Sequence, residues 1–260
     1  RAPMPRLVVP GSGSAVAGAD QANAHMAAQG GIAAVLIDCV GSTFVRLQRV
    51  GIRPHDVGDI ILTHFHPDHV TGFPNFLMAT WRSGRQAPLR VYGLHHCLER
   101  VENMMSGFQW EQWQGFYPVA FHHLPQREGV VVLDNPDFHI SASPVQHYVP
   151  TIGLRVVVKE TGFVLSYSSN TVPCDQVVRL GARADLLIHE ATGDEPLGHS
   201  SAAQAGEIAQ RAGARMLGLI HYAAWNTTPQ ERAALVTAAQ TTFDGDVFLC
   251  EDLQEMDLHP

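Results

Sequence analysis

Short apolar runs recur along this chain at intervals that suit strands. Residues 7–9, 33–37, 60–62, 89–92, 130–133, 138–143, 152–158, 163–167, 186–189, 217–220 and 247–249 are each rich in Val, Ile and Leu, residues that fit pleated, buried positions. Thr161-Gly162 falls between two of these runs, as a hairpin turn does. Helix starts are marked separately. Thr228-Pro229-Gln230-Glu231 offers a capping hydroxyl, a first-turn proline and a glutamate that closes a capping box. Ser201-Ala202-Ala203-Gln204 opens a second helix in the same way, and residues 97–105 read as a third. No low-complexity linker divides the chain and no short repeat recurs. Many strands with interspersed helices predict an α/β arrangement, sheets packed between helices in one domain spanning residues 1–260.

Composition narrows the reading without changing it. The 260 residues are 45% hydrophobic and 16% charged, the balance of a globular chain with a sizeable core. The net charge of -8 disfavours a partner gripped through a phosphate backbone. The four cysteines, Cys39, Cys97, Cys174 and Cys250, form no C-x-x-C pair and read as free thiols. No apolar run reaches the roughly 20 residues that span a membrane. The chain opens on Arg1 rather than methionine, which leaves a removed leader open and the compartment undecided between cytoplasm and periplasm.

The chemistry concentrates in one segment. In Asp59-Ile60-Ile61-Leu62-Thr63-His64-Phe65-His66-Pro67-Asp68-His69, an apolar strand ends and three histidines and an aspartate follow within six residues. Imidazole nitrogen and carboxylate oxygen are ligands that zinc accepts. Side chains two apart on an extended segment point the same way, so His64 and His66 can grip one ion. Pro67 stops the strand, and the turn that follows can aim Asp68 and His69 at a second position.

His-x-His-x-Asp-His after a strand resembles the signature of the metallo-β-lactamase superfamily. The resemblance implies a four-layered αβ/βα sandwich with the metal site at one edge of the paired sheets. It also implies later ligands: His147 and His221, each after a strand, match the third and last histidines. Leu36-Ile37-Asp38 matches the place of a supporting aspartate. One position departs. Ser169-Asn170-Thr171 stands where a bridging aspartate is expected, so Asn170 takes the place of a carboxylate, as a natural substitution or a deliberate Asp→Asn change. A neutral amide between two cations weakens one of them, which predicts one or two zinc ions per chain, with a mononuclear state favoured. The ligands then divide into His64, His66 and His147 or Asp68, His69 and His221. With only the first ion, Asp68 is free to act as a base or to orient water. His189-Glu190-Ala191-Thr192 and Gly198-His199-Ser200-Ser201 resemble motifs of the ribonuclease Z and arylsulfatase-like branch, in which the histidine matching His199 acts as a proton donor.

Substrate is the least determined expectation. Only 22 residues separate His147 from Asn170, which leaves no room for the tRNA-binding arm of ribonuclease Z. Six aromatic residues fall between Phe108 and Phe121. Trp110, Trp113 and Phe116, with Trp225 after His221, read as a pocket for a small flat substrate, or equally as ordinary core or a dimer contact. Asn170 and this aromatic segment are similar to hydrolytic dehalogenases acting on chlorothalonil. The leading expectation is therefore hydrolysis of an aryl chloride by a metal-bound hydroxide, with Asp68, Asn170 and His199 at the reacting centre. Phosphodiesterase or arylsulfatase activity is the first alternative, and a metal-poor binding module the second. A small-molecule substrate, no membrane, a disfavoured nucleic-acid partner and a homodimer complete the picture. The pairs His95-His96 and His122-His123 read as surface residues, with a metal between subunits as the alternative.

Overall fold

The computed structural model describes residues 4–31, 33–195 and 198–259. The first strand shows how its layers arise. Alternate side chains of β1 (Arg6–Gly11) leave opposite faces, so Leu7 and Val9 enter one apolar cluster and Val8 another. The same division runs through β2 (His25–Gln29), β3 (Ala34–Ile37), β4 (Val57–Ile61), β5 (Leu89–Leu94) and β6 (Val119–Leu124). With β14 (Gln254–Asp257) these form one seven-stranded sheet in the order β14-β1-β2-β3-β4-β5-β6.

The second sheet holds β7 (Val130–Asp134), β8 (Phe138–Val145), β9 (Thr151–Val158), β10 (Val164–Tyr167), β11 (Leu186–Glu190), β12 (Met216–Ile220) and β13 (Asp246–Leu249) in reverse chain order. Its inner face meets that of the first sheet in a cluster that includes Val35, Ile61, Ile140, Leu154, Val156, Ile188 and Ile220. Outside the first sheet lie α1 (Thr43–Arg49), α2 (Pro67–Val70), α3 (Phe73–Arg82) and α4 (His95–Gly107). Outside the second lie α5 (Asp175–Leu180), α6 (Ala202–Ala212) and α7 (Pro229–Gln240). Leu47, Phe73, Phe76, Leu98 and Val101 cover one outer face, and Val177, Ile208 and Ala239 the other. The result is helix, sheet, sheet, helix: the αβ/βα sandwich the resemblance implied. Each fully buried Leu, Ile or Phe in these layers stabilises the fold by about 1.5–3 kcal/mol.

All eleven strands read from the sequence are present, and the Thr161-Gly162 turn joins β9 to β10 with Gly162 at φ 74°. Both capping boxes form: Ser201 with Gln204, and Thr228 with Glu231. Three strands lie outside the sequence reading. β2 is alanine-rich, β14 is a polar edge, and β6 sits inside the segment read as an aromatic insertion. Of that segment, Trp110, Trp113 and Phe116 pack on the outer layer of the first sheet. Trp113 stacks on Trp81 of α3 with ring centroids 5.1 Å apart, and Phe116 meets both edge-on.

Candidate metal centre

The ligand run begins where β4 ends at Ile61 and turns into α2 at Pro67. It is anchored from β3. Asp38 follows that strand, and its carboxylate accepts hydrogen bonds from the Thr63 N–H at 2.8 Å and from the Thr63 hydroxyl. Because Thr63 Oγ1 donates to Asp38, it accepts from His64 Nδ1–H at 3.0 Å. That commits Nδ1 and leaves a lone pair on His64 Nε2, a buried atom with no hydrogen-bond partner. Asp38 Oδ2 also accepts from His69 Nδ1–H at 2.8 Å, which turns the His69 lone pair to Nε2. His221, after β12, is set in the same way. Thr192 Oγ1 donates to the His221 carbonyl at 2.8 Å and so accepts from His221 Nδ1–H at 2.7 Å. His147, after β8, donates Nδ1–H to the Gly198 carbonyl at 2.7 Å. Four imidazoles thus present Nε2 as a ligand atom, held by the kind of outer partner that orients metal-binding histidines.

These atoms gather into two groups, each with its ligand atoms within 4.8 Å of one another: His64, His66 and His147, then Asp68, His69 and His221. His147 Nε2 lies 3.2 Å from His66 Nδ1. His221 Nε2 lies 3.3 Å from His69 Nε2 and 3.2 Å from Asp68 Oδ2. Asn170 joins the second group, its Nδ2 3.2 Å from His69 Nε2 and 3.3 Å from His221 Nε2. Its Oδ1 is buried without a partner. A nitrogen–oxygen donor set with two orphaned acceptor atoms fits a borderline divalent cation. The chain makes this arrangement at some cost, since Asp38, Ser169 and His221 all hold left-handed backbone, φ 62°, 54° and 58°. Non-glycine residues there cost of order 1–3 kcal/mol each and cluster at functional sites.

The electrostatics divide the two groups. Burial, reinforced by the neighbouring histidines, pushes His64 well below its ordinary pKa, and burial pushes His147 down to about 4. Both rings are therefore neutral and ready to ligate. Burial also opposes a charge on His69, but the Asp38 and Asp68 carboxylates override it and lift the ring to about 10. Asp68 resists protonation: burial alone would raise it, yet the adjoining His221 and His69 rings hold it far below the usual carboxylate range. The second group is thus a nest of negative charge in which a cation competes with protons.

A third cluster overlaps the second group: Glu190, His199 and His221. His199 Nδ1 hydrogen-bonds Glu190 Oε1 at 2.8 Å, and the His199 and His221 rings stack at 5.7 Å. Glu190 is fully buried and also accepts from the Thr171 and Thr192 N–H groups. Burial favours its neutral form, but these bonds keep it ionised. Glu190 and Thr192 belong to the His189-Glu190-Ala191-Thr192 motif, and neither role is visible in the sequence. His189, from the same motif, is buried and bonds only to the neighbouring Glu190 carbonyl.

The structure brings together every predicted ligand: His64, His66, Asp68, His69, His147, Asn170 and His221, with His199 beside them. Trp225 stands 65% exposed on the loop after His221. The three other predicted pocket residues, Trp110, Trp113 and Phe116, are held in the outer aromatic layer instead, because α3 offers them Trp81 as a stacking partner. Phe108 and Trp113 line a surface cavity of about 380 Å³ with Pro74, Met78 and Met104. Tyr148 takes the exposed place near the ligands. It is 52% exposed, its ring 5.0 Å from His147 and 5.9 Å from His199.

Fold and ligand groups together define a metallo-β-lactamase-type hydrolase. Residues 33–222 match the family model described as the beta-lactamase superfamily domain, and the chain belongs to that superfamily. Ribonuclease Z of Mycobacterium sp. (strain KMS) is 29% identical over 276 residues, which cover 96% of this chain and 95% of that protein. Among solved structures, the metallo-beta-lactamase fold protein YhfI from Bacillus subtilis superposes with a TM-score of 0.81 at 22% identity, covering 98% of this chain and 99% of that one. The short form of human tRNase Z gives 0.78 at 22%, covering 97% and 99%. Yeast PDE1 gives 0.77 at 8%, covering 98% and 99%.

Proposed function

We propose that this protein is a zinc-dependent phosphodiesterase whose substrates include RNA. The observation that carries the reading is the buried Glu190–His199 pair, 2.8 Å apart beside the second ligand group. An alkoxide leaving a phosphodiester is strongly basic and needs a proton, whereas a departing chloride needs none. A histidine held by a buried carboxylate is the device for delivering that proton.

His64, His66 and His147 would hold one ion, and Asp68, His69 and His221 with Asn170 a second. A bound zinc ion supplies Lewis-acid polarisation of a phosphoryl oxygen and an activated water. The chain's own residues do the rest. Asp38, Thr63 and Thr192 orient the ligating rings. Glu190 fixes His199 with its Nδ1–H donated inward, so Nε2 is the atom that carries a proton to the substrate. Asn170 contributes no charge where a carboxylate would, so the second ligand group would hold a cation less tightly.

Two expectations are corrected. The aryl chloride reading rested on Asn170 and the aromatic segment, and most of that segment packs in the outer layer. The relatives point to the phosphodiester alternative instead. The exclusion of nucleic acid rested on net charge and on the short interval between His147 and Asn170. Against that exclusion stands the mycobacterial relative named ribonuclease Z, which aligns with this chain over 95% of its own length. The metal-poor module finds no support in a site that keeps six ligand positions.

The test is a hydrolysis screen of zinc-loaded protein over bis(p-nitrophenyl) phosphate, a 3′-extended tRNA, an aryl sulfate and an aryl chloride. Turnover of the phosphodiesters, lost on chelation and restored by zinc, is the expected result. Turnover of the aryl chloride alone would overturn the reading.

A further inference from the structure

Beginning 26 positions beyond His69, a second group of histidines lies at the edge of the first sheet. His95 opens α4, directly after β5. His123 lies in the edge strand β6, in register with Gly93 of β5. The two rings are 5.0 Å apart and tilted by 42°, and their Nδ1 atoms lie 3.0 Å from each other. We propose that His95 and His123 form a separate surface metal site, taking one divalent cation of the zinc, nickel or copper class through their Nδ1 atoms.

The distances suit this chemistry. Two nitrogens bound to one ion at about 2.0–2.1 Å stand about 2.9–3.4 Å apart, depending on the angle between the bonds. The opposite side of each ring faces a carboxylate. His95 Nε2 lies 4.0 Å from Glu99 Oε2, and His123 Nε2 lies 3.9 Å from Glu102 Oε2. A ligating imidazole commonly turns its other N–H toward a carboxylate, which fixes the tautomer and strengthens the donor. Here each ring has a carboxylate on that side, at a distance one water spans, and the two Nδ1 atoms converge. Glu99 is shared with Arg100, whose guanidinium lies 3.6 Å away, so Glu102 is the stronger of the two supports. The side chains are 72% and 37% exposed. An ion therefore reaches them from solvent, and water completes its coordination.

The placement gives the site a purpose. The segment between the two histidines carries α4 and the outer aromatic layer of Trp110, Trp113 and Phe116. The β5–β6 ladder already joins the ends of that segment, and an ion held by both residues would add a side-chain tie at the exposed edge of the sheet.

The experiment uses the holoprotein with its active-site metal in place. Calorimetric titration with Zn2+ is expected to show one additional ion per chain at micromolar concentration, accompanied by a rise in Tm. The His95→Gln/His123→Gln variant is expected to lose that ion and that rise while keeping the active-site metal and the metal-free Tm. The Glu99→Gln/Glu102→Gln variant, with both ligands intact, is expected to bind about 10- to 100-fold more weakly. An additional ion that persists in the histidine variant, or none in the wild-type protein, would overturn the proposal. Unchanged affinity in the glutamate variant would overturn the Nδ1 assignment.

Discussion

Replacing Glu190 by glutamine keeps the shape of the side chain and removes its charge. In the wild-type site Oε1 accepts from His199 Nδ1 at 2.8 Å and Thr171 N at 2.9 Å, and Oε2 accepts from Thr192 N at 3.1 Å. Glutamine offers one acceptor oxygen and one N–H2 group, so at least one of these donors meets another donor. In a fully buried position this costs about 1–3 kcal/mol of stability. The kinetic effect is larger. His199 loses the partner that orients it and stabilises its charged form, and a general acid of this kind contributes about 10²–10⁴ in rate. The assay compares kcat for two phosphodiesters under saturating zinc. Bis(p-nitrophenyl) phosphate releases a weakly basic phenolate; a dinucleotide releases a strongly basic alkoxide. Glu190→Gln is expected to slow the dinucleotide by the full factor and the aryl ester much less. Equal losses on both substrates, with metal content unchanged, would refute the role of His199 as acid.

Three further outcomes are expected. Asn170→Asp puts a carboxylate between His69 and His221, so zinc retained through gel filtration should rise; elemental analysis showing the same content would remove Asn170 from control of metal occupancy. Thr192→Val leaves His221 Nδ1–H without its acceptor at 2.7 Å and should weaken zinc binding about 10- to 100-fold in competition with a chromogenic chelator; an unchanged affinity would show that Thr192 does not orient the ligand. His25, at the start of β2, is buried, and desolvation depresses its pKa to about 4. The unfolded chain binds its proton from about pH 6.5, so stability from neutral His25 is complete above that value and declines as pH falls toward 4, by up to about 3 kcal/mol. Urea unfolding with chelator present should show a shallower pH dependence between 6.5 and 4 in His25→Asn; parallel curves would contradict this.

The ligands were legible because their spacing is local. His64, His66, Asp68 and His69 sit within six residues, and a strand ending in a proline turn leaves few ways to arrange them. His147 and His221 were legible only through a resemblance, since nothing in the intervening chain says that β8 and β12 end beside β4. The missed strands have physical reasons. β2 reads His-Met-Ala-Ala-Gln and lacks the β-branched residues that mark a strand, yet its alanines are wholly buried, Ala28 between the two sheets and Ala27 beneath the helices. β6 looked like part of an aromatic loop because its Phe121 and its neighbours serve the outer layer, not the central core. The aromatic density reads from sequence as a substrate pocket or equally as ordinary core, and for Trp110, Trp113 and Phe116 the structure shows core. The stacking partner of Trp113, Trp81, comes from a helix the pattern did not announce.

Residue types alone conceal the threonines for a different reason. Thr63 and Thr192 are ordinary in composition, and each acts only because a second acceptor claims its hydroxyl proton. Asp38 takes the proton of Thr63, and the His221 carbonyl takes that of Thr192. Each hydroxyl can then only accept from an imidazole N–H, which forces the lone pair of His64 and of His221 onto Nε2. The backbone strain at Asp38 and His221 follows from the same requirement, because both residues must turn back sharply at a strand end to reach these partners. For His64 and His221 the chain therefore sets which nitrogen is free before any ion arrives. That preorganisation makes the outer hydrogen bonds, and not just the six ligands, the place where metal affinity is decided.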